Sequence, residues 1–210
     1  MSAPAIYPLL SALIGYPNPA TRGDAEACLA LLDDRHPDAA VSLRGFLATI
    51  AGRSLPELEE AYARIFDLNP SRCLDLGYQI FGETYKRGAF LVKMKAATEE
   101  HGVDPGSELF DHLTATLILL PRLGAGDDPE ELAVEIMLPV IDKVLRTFEE
   151  DEGGYRSLLR AVELVMMRDY GVTKIAEIPA PSPVSASSDH GGRKLPMFPG
   201  FSPPTERPWP

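Results

Sequence analysis

The sequence predicts an all-α protein, a single compact bundle of about nine helices followed by a proline-rich C-terminal tail. Up to about residue 176, apolar residues recur at spacings of three and four, which is the period of a helix and not the alternation of a strand. No Asn-Gly or Asp-Gly pair joins two alternating runs, as a tight β-hairpin would require. With 45% hydrophobic and 24% charged residues, the chain has the composition of a globular protein that buries a core.

Start signals support several of the nine helices. Ser54 and Glu57 are spaced as a capping box, in which each side chain satisfies a backbone N–H at the helix entrance. Pro70 and Pro129 each follow a capping residue and fit the first turn of a helix, where the missing donor costs nothing. The expected helices span residues 4–15, 22–33, 38–51, 55–65, 71–82, 83–101, 107–121, 129–148 and 154–169.

The last of these helices has the clearest amphipathic pattern. Six apolar residues share one face and predict that the helix faces the core: Tyr155, Leu158, Leu159, Val162, Val165 and Met166. Charged residues, Glu163 among them, fall mostly on the other face. Pro139 lies inside the 129–148 pattern, so that helix should kink or divide near Leu138.

The chain divides near residue 176 into a helical domain, residues 1–175, and a tail, residues 176–210. The tail contains nine prolines, which remove the backbone donors that a regular element needs, and we expect it to be disordered. Leu195 to Phe201 and Trp209 are apolar and could dock on the folded part, although a solvated terminus is the simpler interpretation.

Charge and cysteine usage bear on partners and compartment. The net charge is -11 and no stripe of basic residues is present, which argues against nucleic acid as a partner. The two cysteines, Cys28 and Cys73, are not spaced as a Cys-x-x-Cys pair or with histidine as metal ligands. The N-terminus lacks the pattern of an export signal, and no apolar run reaches the roughly 18 residues of a membrane span. We expect a cytoplasmic protein.

The clearest candidate site is Glu108-Leu-Phe-Asp111-His112. In the expected helix over residues 107–121, Glu108, Asp111 and His112 would project from one side, beside an apolar face that includes Leu113. Such a set could form a metal site, an acid–base pair, a peptide-binding patch or only a charged helix start. Spacing alone leaves these possibilities open.

A second cluster is aromatic. Tyr78, Phe81, Tyr85, Arg87 and Phe90 recur at helical spacing, which is typical of core packing, with a peptide groove as the functional alternative. Gly82 and Gly88 interrupt this stretch, and each costs about 1 kcal/mol relative to alanine inside a helix. A break between helices or a close helix crossing would explain them.

Four motifs occur together in one order. These are the opening helix from Leu9 that ends in Tyr-Pro, Tyr62-Ala-Arg-Ile-Phe-Asp67, Gly82-Glu-Thr-Tyr-Lys-Arg-Gly88 and Glu108-Leu-Phe-Asp-His-Leu113. Over about residues 6–170 the chain resembles the delta-subunit (NarJ-like) assembly chaperones of respiratory nitrate reductases, within the TorD-like family of molybdoenzyme maturation chaperones. Phe110 departs from that pattern, since the family often has proline there.

The resemblance implies a chaperone without enzymatic activity or cofactor. Such a protein binds the N-terminal segment or leader peptide of the catalytic subunit of a molybdopterin oxidoreductase until the molybdenum cofactor is inserted. Glu108 and Asp111 would then pair with cations of the client, and His112 would orient the two carboxylates or respond to pH. Further binding residues implied by the resemblance are Leu113, Tyr62, Phe66, Tyr78, Tyr85 and Arg87.

Other classes of function stay open at this stage. One is a helical protein or enzyme that binds a metal ion or guanine nucleotide through Glu108, Asp111 and His112. Another is a permanent structural subunit of an oxidoreductase complex. The oligomeric state, monomer or dimer, and the identity of the client are not predicted by any residue pattern.

Overall fold

A computed structural model describes residues 6–32, 35–124 and 128–178 of the chain. Within these ranges the backbone forms nine α-helices and no strand, which confirms the predicted all-α bundle. None of the helices there combines the length and apolarity needed to cross a membrane. The helices are α1 (Ile6–Ile14), α2 (Thr21–Leu32), α3 (Pro37–Ile50), α4 (Leu55–Tyr62), α5 (Leu76–Phe81), α6 (Tyr85–Glu100), α7 (Leu113–Leu119), α8 (Leu138–Leu145) and α9 (Tyr155–Asp169).

The core is built around α9. All six apolar residues predicted to face the core from this helix are buried. Glu163, predicted on the polar face, is buried as well, and its carboxylate accepts a hydrogen bond from Arg160. Helices α1, α3 and α8 pack against α9, while α2 contacts α1 and α3. This packing buries most of α9, including Glu163, whereas Arg156, Arg160 and Arg168 stay exposed on the remaining side.

Irregular turns adjoin the α-helices. Two segments have the wider π-helical turn, Ala63–Asp67 after α4 and Glu131–Met137 before α8. Pro139 lies in the first turn of α8, directly after the second π-helical segment. A proline there removes one helical hydrogen bond and crowds the preceding turn, which a wider turn relieves. The segment therefore changes from π-helical to α-helical turns at Leu138, where a kink or division was predicted, and its backbone remains helical across that point.

Two of the three predicted start signals, at Ser54 and Asp128, begin helical segments as expected. The backbone N–H of Ser54 donates to the Glu57 carboxylate at 2.7 Å, as expected for the capping box of α4. Asp128 accepts from the backbone N–H of Glu131 at 2.8 Å. Gly82, with a φ of 58°, ends α5, so the first of the two glycines does mark a break between helices.

The prediction of a helix over residues 107–121 is wrong at its start. Helix α7 begins at Leu113, and residues 108–112 form turns. The backbone N–H of Leu113 donates to the carbonyl of Leu74, and that of Leu76 donates to the carbonyl of Asp111, both at 3.0 Å. These two bonds hold residues 111–113 extended against residues 74–76, which a helix would not allow.

The same contact divides the predicted helix over residues 71–82. Its beginning is a 3-10 turn, Pro70–Arg72, and its end is α5. The prediction of a disordered tail concerns residues 176–210, of which residues 179–210 lie outside the described ranges. Within the described part of the tail, Ile178 packs against the core.

Candidate functional site

A cleft of about 390 Å³ opens where α4, the segment before α5, α6 and the turns before α7 meet. We call it the acidic cleft. Its walls come from parts of the chain that are far apart in sequence. The lining residues are Tyr62, Phe66, Asp67, Pro70, Cys73, Leu74, Asp75, Tyr78, Arg87, Glu108 and His112.

The first wall is the π-helical end of α4. The backbone N–H of Leu68 donates to the carbonyl of Ala63 at 2.9 Å, five residues back. In this wider turn Tyr62, Phe66 and Asp67 share one side of the helix and all line the cleft. A regular α-helix would rotate Asp67 further from Tyr62. The local deviation from α geometry therefore adds a carboxylate to the aromatic wall.

Aromatic packing holds this wall in place. The rings of Tyr62 and Phe66 lie 5.1 Å apart, and that of Phe66 lies 5.2 Å from the ring of buried Tyr155 on α9. Tyr16 contacts Tyr62 from outside, with centroids 5.3 Å apart in an edge arrangement. Because α9 is the centre of the core, the aromatic wall is rigidly connected to the most buried part of the protein.

The second wall carries an ion pair. Arg87 donates to the Asp75 carboxylate at 3.1 Å, and its guanidinium lies over the Tyr78 ring at 5.3 Å from the centroid. The side-chain amide of Gln79 donates to the carbonyl of Cys73 at 2.8 Å, which fixes the turn that leads into α5. The Arg87 guanidinium therefore binds groups on its own side of the cleft, Asp75 and Tyr78.

Asp111 precedes the lining residue His112 and is 0% exposed. One carboxylate oxygen accepts from the backbone N–H of Gly77 at 2.8 Å, while the other, Oδ1, is buried without a hydrogen-bond partner among the described residues. Burial raises the pKa of Asp111, partly opposed by the Gly77 hydrogen bond and by the charge of Arg87. The Asp111–Gly77 contact joins the immediate neighbours of two lining residues, His112 and Tyr78, and we call it the floor of the cleft.

His112 connects the floor to the opening. As the N-cap of α7, its Nδ1 accepts from the backbone N–H of Thr114 at 3.4 Å and lies 2.7 Å from the Thr114 hydroxyl. The other ring nitrogen, Nε2, faces the Glu108 carboxylate at 4.0 Å. Burial lowers the pKa of His112, although the carboxylates of Glu108, Asp75 and Asp67 act in the opposite direction. A neutral imidazole is therefore favoured near pH 7.

The charge of the cleft is negative. Asp67 and Glu108 form no ion pair with lysine or arginine among the described residues, whereas Asp75 pairs with Arg87. Burial raises the pKa of the Cys73 thiol to about 11, so this thiol is a poor nucleophile at neutral pH. The cleft is thus suited to hold a cation beside an aromatic surface.

Exposed apolar side chains are sequence neighbours of two lining carboxylates or contact a lining ring. Leu68 follows Asp67 and is 78% exposed, and Leu109 follows Glu108 and is 42% exposed. Tyr16, packed against the outside of Tyr62, is half exposed. Apolar groups of this size next to uncompensated carboxylates are the features expected of a surface that binds an amphipathic peptide.

Six of the nine predicted site residues meet in the cleft: Tyr62, Phe66, Tyr78, Arg87, Glu108 and His112. The other three do not line it. Tyr85 points to solvent and is 93% exposed, whereas Leu113 and Asp111 are buried. The expectation that the Asp111 carboxylate faces a peptide is therefore corrected, because the backbone contact between residues 111–113 and 74–76 turns it inward.

Five lining residues were not among the predicted site residues. Asp67 belongs to the Tyr-x-x-x-Phe-Asp motif and could have been chosen from it. Asp75 joins the site through Arg87 and through a long-range backbone contact, for which the sequence carries no local signal. Pro70, Cys73 and Leu74 follow from the same contact.

A metal ion would need a tighter set of ligands than the cleft offers. Across residues 6–32, 35–124 and 128–178, no three His, Cys, Asp or Glu side chains are arranged to hold one. Neither a protein-family model nor a curated protein sequence matches the chain. Fold and site together define an all-α protein with an acidic, aromatic-lined cleft.

Proposed function

We propose that this protein is a dedicated cytoplasmic assembly chaperone for a molybdenum-cofactor-containing respiratory oxidoreductase of the nitrate-reductase type. It binds the N-terminal segment of the catalytic subunit until the cofactor is inserted, and it performs no chemistry. The proposal is supported by one observation above all. The two motif segments Tyr62–Asp67 and Glu108–His112, distant in sequence, line the same cleft.

The chemistry of the cleft suits such a client. Asp67 and Glu108 are available to a lysine or arginine of the bound segment, while Tyr62 and Phe66 offer an apolar wall. His112 presents Nε2 towards Glu108 and can donate to that carboxylate or to a carbonyl of the client. An amphipathic basic segment satisfies both surfaces at once.

Calorimetry with peptides tests the proposal. Synthetic peptides covering the N-terminal segments of the molybdopterin oxidoreductase catalytic subunits of the source organism are titrated into the full chain. We expect one of them to bind, and Glu108→Gln or Asp67→Asn to weaken its affinity about tenfold, or 1.4 kcal/mol, because each removes a carboxylate without changing the shape of the cleft. Glu26→Gln, an exposed position on α2 outside the cleft, is the matched control.

Two results would overturn the proposal. One is that no peptide of the panel binds. The other is that both cleft variants bind the peptide as tightly as the control variant does. Purification of the mature oxidoreductase adds a separate test, since a chaperone leaves the cofactor-loaded enzyme and a permanent subunit stays with it.

A further inference from the structure

Side-chain contacts connect the end of the described chain to a residue next to the acidic cleft. Glu177 accepts a hydrogen bond from Arg146 at 3.3 Å, and Ile175 and Ile178 pack against the core. Arg146 is followed by Thr147, whose carbonyl accepts from Arg72 at 3.0 Å. Arg72 in turn lies between two residues that line the cleft, Pro70 and Cys73. Two successive side-chain contacts therefore lead from the end of the described chain to the wall of the cleft.

Residues 193–201 have the composition that the cleft would bind. Arg193 and Lys194 are consecutive cations, and four apolar side chains follow within seven residues: Leu195, Met197, Phe198 and Phe201. The two prolines in this segment favour an extended backbone that binds through its side chains and needs no partner strand. This is the pairing of cations with apolar groups that we inferred for the client.

The connecting chain is long enough. Fourteen residues lie between Ile178 and Arg193, which makes fifteen steps along the chain. At roughly 3.1 Å per step an extended, proline-rich connection spans about 45 Å. A helical domain of this size is about 40 Å across. A path over the surface to the far side of such a domain is about 60 Å long, so the connection reaches the cleft only when it starts on the same half of the surface. The contacts from Glu177 through Arg146 and Thr147 to Arg72 lead towards that half.

We propose that residues 193–201 of the same chain occupy the acidic cleft while no client is bound. Arg193 and Lys194 lie against Asp67 and Glu108, and the apolar residues cover the aromatic wall and the exposed Leu68. The client must then displace an intramolecular competitor. This regulatory consequence rests on the proposed function, whereas occupancy of the cleft by the tail does not.

Displacement makes client binding selective. A tethered segment acts at an effective concentration of about 1 mM, so a segment that binds with a Kd of about 0.1 mM keeps roughly nine-tenths of the clefts covered. Weak basic or apolar peptides would be excluded at such occupancy. Only a client that binds more tightly, or at a second surface as well, would enter.

The native chain carries a probe for this occupancy. Cys73 lines the cleft and is partly exposed, whereas Cys28 is buried. The rate at which N-ethylmaleimide modifies Cys73 is measured at pH 9 by mass spectrometry, which separates the two cysteine peptides. The full chain is compared with a full-length triple variant, Arg193→Gln, Lys194→Gln and Phe198→Ala.

We expect Cys73 to react about tenfold faster in the triple variant, as the effective concentration above implies. Arg207→Gln with Trp209→Ala changes a cation and an aromatic residue elsewhere in the tail and should leave the rate unchanged. A synthetic peptide of residues 190–203, added to the triple variant, should slow the reaction again. The peptide should slow the reaction less when the triple variant also carries Glu108→Gln.

Equal rates in the native chain and the triple variant would overturn the proposal, as would a peptide that gives no protection. Neither result touches the proposed function, because no client is present in the assay. The opposite combination is also distinguishable. If Cys73 is protected in the native chain but no client peptide binds the triple variant, the proposal for the tail stands and the proposed chaperone function is wrong.

Discussion

The carboxylate of Asp111 accepts a hydrogen bond from the backbone N–H of Gly77 at 2.8 Å, within the buried floor of the acidic cleft. A side chain on residue 77 would occupy the same space. A Cβ built there lies 2.7 Å from the Asp111 oxygen and 2.8 Å from the ring of Phe90. Only glycine at position 77 leaves room for the contact between Asp111 and the backbone.

Gly77→Ala should lower the free energy of unfolding by about 1–3 kcal/mol, because the added methyl group overpacks the floor. Urea denaturation followed by circular dichroism measures the change. Gly88→Ala is the matched control, since a Cβ there meets open space within α6 and should not destabilise the protein. If the two substitutions changed the free energy of unfolding equally, Asp111 and Phe90 would be able to move aside for the added methyl group.

Asp111→Asn should stabilise the protein relative to the native chain as the pH rises from about 4 to 7. The pKa of Asp111 is raised in the folded state, so the unfolded chain releases its proton first and stability is lost from about pH 3.9 up to the folded-state pKa, a loss that an amide does not share. The amide keeps an oxygen for Gly77, whereas Asp111→Ala removes it and should cost about 1–3 kcal/mol. Chemical denaturation at several pH values tests both substitutions. If the difference in unfolding free energy between the native chain and Asp111→Asn does not change with pH, the predicted role of the Asp111 pKa is wrong.

His112→Asn should reduce the loss of stability between about pH 7 and pH 5. Burial lowers the pKa of His112 in the folded protein, so the unfolded chain takes up a proton first and stability falls as the pH drops below about 6.5. Asparagine is also a good N-cap and can accept from Thr114. The observable is the difference in pH dependence between the two chains by urea denaturation, and identical slopes would show that His112 does not contribute.

Arg72→Lys should destabilise the protein by about 2 kcal/mol, although it conserves the charge. The nearly buried guanidinium donates to the Thr147 carbonyl at 3.0 Å and to Glu152 at 2.9 Å, and it lies 4.0 Å above the centre of the Phe148 ring. Lysine cannot reproduce this planar set of contacts. Thermal unfolding is the measurement, with Glu152→Gln expected to cost less because Glu152 is half-exposed. Equal stabilities of the native and Lys chains would refute this account.

Local pattern was sufficient for much of the fold. Helix α9 was predicted within a residue of its start, and the capping box at Ser54 and the break at Gly82 depend on neighbouring residues alone. The position of Pro139 likewise indicated where the helical segment over residues 129–148 changes from π-helical to α-helical turns. In each case the controlling interaction lies within about one helical turn, so the sequence contains it directly.

The candidate site depended on longer contacts. Glu108, Asp111 and His112 at spacings of three and four resembled one face of a helix, yet two backbone hydrogen bonds to residues 74–76 hold that segment out of helical geometry. The charges and aromatic rings of the site could be predicted as a set of residue types. Whether a carboxylate faces solvent, as that of Glu108 does, or a buried backbone N–H, as that of Asp111 does, follows from contacts between distant segments. Only the tertiary structure contains those contacts.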